Sequence, residues 1–267
     1  MLQQYSPRVW KVLGLASGIA WSSLGGVWAV ELVSLQKDDA QWSDGTAWSV
    51  QAVPTEPNQR VVVNAGKSVT VDSAFNAPVQ VVVGNSQDAS PDGRLLITAD
   101  FEVETIEVAV MPGSSGAVQQ TGGAVTVGEL HLASTHPDST EALYNLDGGN
   151  LSVQAVKMGV MGPGILSMRG NGEVVTVRKN LLIGNRGEMR FIGGKAGFPS
   201  INPGNLTIDS GAVVSVEVDE TGAVPGKYTL VQADKPLATN FQVNLVGFGG
   251  ADATILESEN GLVLEVK

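Results

Sequence analysis

Of the 267 residues, 43% are hydrophobic, enough for a substantial core, so an intrinsically disordered chain is excluded. With 27 acids against 16 Lys and Arg, a formal net charge of −11 argues against nucleic-acid binding through bulk charge. The absence of cysteine removes disulfide frameworks, thiolate metal sites and cysteine nucleophiles.

The chain opens with the pattern of an export signal over residues 1–29. Arg8 and Lys11 form a positive start, Val12 to Leu24 is apolar and uncharged, and Val27-Trp28-Ala29 places small residues where a signal peptidase cuts. Cleavage after Ala29 is expected, and it leaves 14 Lys and Arg against 27 acids, a net charge of −13. An uncleaved anchor is disfavoured, because Gly14, Gly18, Gly25 and Gly26 weaken the stretch as a span of about 20 apolar residues.

Residues 30–60 carry Trp42 and Trp48, the only tryptophans beyond the signal, together with Pro54 and Pro57. A stack of strands needs a cover over its first open edge, and two large aromatics suit an N-terminal cap. The alternative is a platform on which a sugar ring stacks.

Residues 61–221 repeat a phrase. Glycine is abundant (33) and aromatics are scarce (5%), a composition of short strands joined by tight turns. Coil starts fall at Gly66, Gly93, Gly116, Ala142, Gly164, Gly187 and Gly211, every 22 to 27 residues, which predicts an all-β solenoid of about seven coils. Strands alternate, so inward columns can be assigned: Leu95, Val118, Tyr144, Leu166, Met189 and Val213 in one, Ile97, Gln120, Leu146, Met168, Phe191 and Ser215 in the next. Second and third strands add Val125, Val127, Leu130 and Leu132 in one coil and their counterparts in the following two. Gln120 and Ser215 need a hydrogen-bond partner or a register shift. Glycine corners separate the strands at Gly122-Gly123, Gly148-Gly149, Gly170 with Gly172, and Gly193-Gly194, and the insertions 85–93 and 136–140 belong to corner loops.

Residues 222–267 read as four antiparallel strands, near Lys227–Gln232, Phe241–Val246, Ala253–Glu257 and Leu262–Val266, with a tight turn at Glu259-Asn260-Gly261. They are expected to close the far end as a C-terminal antiparallel cap, with no membrane anchor after them.

The opening Trp-x5-Trp leads into VVVNAGKSVTVDS, Gly-x-Leu phrases alternate with Gly-Gly corners, and a closing GKYTLV precedes NGLVLEV. In these features, residues 42–267 resemble exported bacterial surface proteins with autotransporter-associated β-strand repeats, of the planctomycete and verrucomicrobial type. The resemblance implies a right-handed parallel β-helix and a cell-surface or extracellular setting.

The chemistry-bearing residues are few. His131 and His136 have no carboxylate cluster of ligand spacing around them, so no metal and no cofactor are expected. Asp100, Glu102 and Glu104 alternate along one predicted strand and are the nearest thing to a catalytic or calcium-binding face. Charge distribution is sharper: Lys157, Arg169, Arg178, Lys179, Arg186, Arg190 and Lys195 lie within 39 positions that hold only Glu173 and Glu188 as acids. Stacked rungs would gather several of these cations into a ligand-binding patch for an anionic polysaccharide, a cell-surface glycan or another copy of the chain. A solvated face that blocks edge pairing is the plainer explanation. The expected function is a non-enzymatic, exported structural or adhesive module, with a carbohydrate-active β-helix protein as the alternative and no nucleic-acid partner.

Overall fold

The computed structural model describes residues 30–64, 66–85, 93–170, 174–235 and 241–267. The expected signal peptide, most of the insertion 85–93 and Gly172 lie outside the described residues.

The chain winds into a β-solenoid of about eight turns whose strands stack in parallel. Two sheets form its walls. The long-strand sheet has 12 strands, with Phe101–Val108, Ala124–Leu132, Asn150–Met158, Val174–Ile183 and Ser200–Ile208 in its middle. The short-strand sheet has nine, including Gly93–Ile97, Ser115–Gln120, Glu141–Leu146, Gly164–Arg169, Gly187–Gly193 and Val213–Val218. Parallel pairing satisfies the backbone groups of each coil from the coils below and above, so like positions stack in columns about 4.8 Å apart.

What sequence alternation suggests as separate second and third strands is one long strand with two limbs. Within Phe101–Val108, Phe101 and Val103 are buried, then two residues pass before Ile106 and Val108 are buried. That break in alternation turns the strand through a corner. One coil earlier the limbs are physically distinct: Phe75–Asn76 and Gln80–Val83 both pair with Phe101–Val108, and Pro78, which cannot donate to a ladder, stands between them.

The predicted core columns are buried. From Leu95 to Phe191 both inward columns of the short-strand sheet are at most 1% exposed, and Val125, Val127, Leu130 and Leu132 with their counterparts complete one continuous core. Burying each such aliphatic is worth about 1.5–3 kcal/mol before chain entropy is counted.

Gln120 keeps its predicted inward place because the core satisfies it: its Oε1 accepts from the Tyr144 hydroxyl at 2.8 Å and its Nε2 donates to the carbonyls of Asn150 and Gly123. At the last coil the predicted columns are corrected. Met189 pairs with Val214 and Phe191 with Val216, so those valines point inward while Val213 and Ser215 alternate to the other side, where Ser215 is nevertheless covered, at 1% exposure. Arg190 pairs with Ser215 on that side. The alternation of this strand thus starts one residue later than the spacing from Gly211 predicts, and one residue inverts every side chain of a strand.

At the N-terminal end Trp42 and Trp48 are 2% and 1% exposed and pack edge-on with centroids 4.9 Å apart. Phe75 and Phe101 stack against Trp42 at 5.1 and 5.2 Å, and the Trp48 indole donates to the Trp42 carbonyl. Neither indole has a face free for a sugar.

The C-terminal segment differs in one strand from the expectation. Gly226–Gln232, Ala253–Ser258 and Gly261–Val266 are antiparallel neighbours, but Gln242–Val246 runs parallel to Val213–Val218 and extends the short-strand sheet. Among the described residues no helix is long and apolar enough to cross a membrane.

Candidate functional site

The corner of the long-strand sheet is a column of its own. Glu104, Gly128 and Gln154 occupy it in three successive coils, and Gly204 occupies it further on. In the coil between Gln154 and Gly204 the column receives two residues. Val153 pairs with Val177 and Ala155 with Asn180, so Arg178 and Lys179 together face the single Gln154. On the other side Val177 pairs with Pro203 and Asn180 with Asn205, leaving Gly204 opposite the same two cations. This is a β-bulge, which adds an unpaired residue and re-aims its side chain. Arg178 and Lys179 are both exposed. Their neighbours in the column are a neutral amide and a glycine, so nothing in the column neutralises them.

Two depressions flank the corner and share Glu104, Gly128 and Gln154. One, of about 420 Å³, is also lined by Glu102, Thr126, Ser152 and Arg178. The other, of about 470 Å³, adds Thr105, Glu107, Glu129, His131 and Lys179. Because Gly128 carries no side chain, the column is lowest between them. Acids lie at one end and cations at the other: Glu104 and Arg178 are three rungs apart, roughly 14 Å at the inter-strand spacing.

The seven predicted cations do not form one patch. Lys157, Arg178 and Lys179 lie on the outward side of the long-strand sheet, Lys157 stacking between His131 and Leu182. Among the described residues none of these three has an ion-pair partner. Arg169 and Arg190 lie on the short-strand sheet, where acids already hold them. Arg169 Nε is 3.6 Å from Asp147, and Arg190 Nε is 3.0 Å from Glu188 and 3.3 Å from Glu217. Hydrogen bonding to Glu188 raises the Arg190 pKa still further, so that cation is permanent but locally neutralised. Arg186 sits at a corner and donates to the carbonyls of Pro137 and Met161, stitching two loops together. Lys195 lies on another corner, exposed, its backbone N–H donating to Thr221 Oγ1. Two sheets and two corners divide what 39 positions of sequence bring together.

The acidic candidates also separate. Asp100 precedes its strand, and its carboxylate accepts the Ala124 N–H at 2.8 Å, a structural task. Glu102 and Glu104 do share one outward face, Glu102 accepting from the Asn76 amide. His131 faces outward between Glu129, 3.2 Å from its Nε2, and Glu107, 3.8 Å from its Nδ1. Among the described residues no group of three or more His, Asp and Glu converges on a point that could hold a metal ion.

Glu107 carries the one clear titration consequence at this face. His131 and the Arg60 guanidinium, the latter at 2.8 Å, hold its carboxyl below the ordinary value of 4.5, against burial that pushes it up. Lowering of a carboxyl contributes stability that is present above its unfolded pKa and is lost as pH falls through the folded value. Glu107→Gln is therefore expected to cost about 1 kcal/mol at neutral pH and to cost progressively less below pH 4.5, measured by urea denaturation across pH.

No known protein family matches the chain, and no curated protein is similar to it.

Proposed function

We propose that this chain is a non-enzymatic, exported structural or adhesive surface module that holds an anionic polysaccharide along the outward side of its long-strand sheet. The contact is made by Arg178 and Lys179 on the bulge, with Lys157 one coil below. One observation carries this reading: an extra residue at the corner presents two adjacent, exposed cations, without an ion-pair partner among the described residues, in a chain whose net charge is −11. Arg178 supplies a planar fork for carboxylate or sulfate groups, Lys179 a point charge, and Thr126, Ser152 and Gln154 supply neutral hydrogen-bond partners along the depressions. Export follows from the pattern of residues 1–29.

Binding to polygalacturonate at low ionic strength tests the reading. The protein is expected to bind weakly, with affinity falling steeply as salt rises. Triple reversal of Lys157, Arg178 and Lys179 to Glu should reduce affinity at least about tenfold. Arg190→Glu is expected to change it little, since Arg190 is already held by Glu188 and Glu217. Equal binding by the triple variant and the wild type would overturn the proposal.

A second reading, a carbohydrate-active protein of β-helix type, is favoured by the shared lining of one depression by Glu102, Glu104 and Arg178. It requires chain cleavage. Release of new reducing or unsaturated ends from the polysaccharide, lost in Glu104→Gln, would replace the first reading by this one.

A further inference from the structure

The two depressions beside the corner are lengthwise features with the same electrical polarity. Each is lined from five successive coils, one from Asn76 to Arg178 and the other from Gln80 to Lys179, so each follows the solenoid axis. Acids stand on the coil of Phe101–Val108 and cations on that of Val174–Ile183. At the corner the series is Glu104, Gly128, Gln154, then Arg178 with Lys179, and beside it Glu102 is followed by Thr126 and Ser152. Between the charged ends lie only neutral groups that can hydrogen-bond and a bare glycine. Tight stacking keeps position 128 bare, because a Cβ there would stand 2.5 Å from the Glu104 carbonyl oxygen.

The charges at both ends are unspent. Glu104 and Arg178 are exposed, and among the described residues neither side chain has an ion-pair or hydrogen-bond partner. Glu102 accepts from the neutral Asn76 amide and keeps its charge. The remaining carboxylates of this side are already engaged, Glu107 by Arg60 and Glu129 by His131. A uniformly anionic chain laid along the axis would satisfy Arg178 and Lys179 but set its other charges against Glu102 and Glu104, and like charges brought together oppose binding.

The geometry points to a polysaccharide that carries ammonium as well as acidic groups, a narrower ligand class that rests on the polysaccharide reading above. It lies along the solenoid axis, an amino sugar over Glu102 and Glu104 and an acidic sugar at Arg178 and Lys179. Glu104 and Arg178 are three rungs apart, roughly 14 Å, and a pyranose advances a chain by about one inter-strand spacing, so about three sugars separate the two charged groups. Thr126, Ser152 and Gln154 meet the hydroxyls between them. Opposite charges at the two ends also fix which way the chain runs.

Carboxymethyl chitosan, which bears amines and carboxylates on one chain, is the probe, and its fully N-acetylated form, with the same carboxylates and no amine, is the comparison. Calorimetric titration at low ionic strength is run at a mildly acidic pH that keeps the amines protonated and the carboxylates ionised. Wild type is expected to bind the amphoteric polymer at least about tenfold more tightly than the N-acetylated one. Joint substitution Glu102→Gln and Glu104→Gln should remove that preference by weakening amphoteric binding alone. The charge-matched pair Glu56→Gln and Glu220→Gln, exposed acids elsewhere on the chain, should preserve it, which separates the groove from the overall negative charge. Unchanged thermal midpoints exclude misfolding as the cause. No preference in wild type, a preference that survives loss of Glu102 and Glu104, or an equal loss in the Glu56 and Glu220 variant would overturn the inference. The two readings fail separately. Absence of binding to polygalacturonate and to both chitosan derivatives would sink both, whereas binding of the anionic chains that depends on Arg178 and Lys179 but ignores the amine would sink this one alone.

Discussion

Gly149→Val is expected to lower the unfolding free energy by at least about 4 kcal/mol, a large part of the 5–15 kcal/mol that a domain usually has. Two causes add. Gly149 has φ +82°, a left-handed conformation that costs an L side chain about 1–2 kcal/mol. A Cβ there would also stand 2.2 Å from the carbonyl oxygen of Gly123, 2.8 Å from the carbonyl carbon of Gly122 and 2.9 Å from Gln120 Nε2. Two of those atoms are backbone of the coil below, and that coil is fixed by its own ladder, so neither can retreat. Gly222 separates the two causes, because its φ is +76° but nothing lies within 4 Å of an added Cβ. Gly222→Ala should cost about 1 kcal/mol, the conformational part alone, and Gly149→Ala several times more. Chemical denaturation of both alanine variants decides the matter. Equal losses would mean that the corners of neighbouring coils can separate to make room.

The stacking columns were legible in sequence because a solenoid repeats its side-chain alternation coil after coil, and a column of Leu95, Val118, Tyr144, Leu166 and Met189 has no other explanation. The last coil departs by one residue from its expected place because Gly211-Ala212-Val213-Val214 offers two adjacent valines and only pairing decides which is inside. The cation bulge had a signal that counting would have found. Val177 and Leu181 enclose three residues, whereas Val127 and Leu130, Val153 and Val156, and Pro203 and Leu206 each enclose two. What the sequence concealed was partnership. Arg169, Arg190 and Lys157 look alike as letters in a basic window, but Asp147 and Glu217 reach the first two only after a coil has closed, since they lie more than 20 positions away in the chain.

The Gln120–Tyr144 pair is expected to behave as one unit in a double-mutant cycle. Both side chains are fully buried, and every polar atom of the Gln120 amide is used: one acceptor for the Tyr144 hydroxyl, and donors to the carbonyls of Gly123 and Asn150. Tyr144→Phe leaves the fully buried Gln120 Oε1 without its donor and should cost about 1–3 kcal/mol. Gln120→Leu strands the tyrosine hydroxyl instead and loses the links to two carbonyls, with a similar or larger cost. The Gly123 carbonyl keeps the Asn150 N–H as a partner, so the double variant strands fewer groups than the two single ones together. Its loss should fall short of their sum by about 1–2 kcal/mol. Strict additivity would show that the amide finds other partners and that this polar pair does not fix the register of its coil. Alkaline denaturation supplies a second readout. Burial raises the Tyr144 hydroxyl pKa far above its ordinary value of 10. A raised folded pKa gives stability that is complete below the unfolded value and is lost as pH climbs above it, because the unfolded tyrosine ionises first. Above pH 10 the wild type should therefore lose stability faster than Tyr144→Phe, and the gap between the two should narrow. A gap constant with pH would place the hydroxyl in contact with solvent, contrary to its burial beneath the same glycine corner that excludes a side chain at position 149.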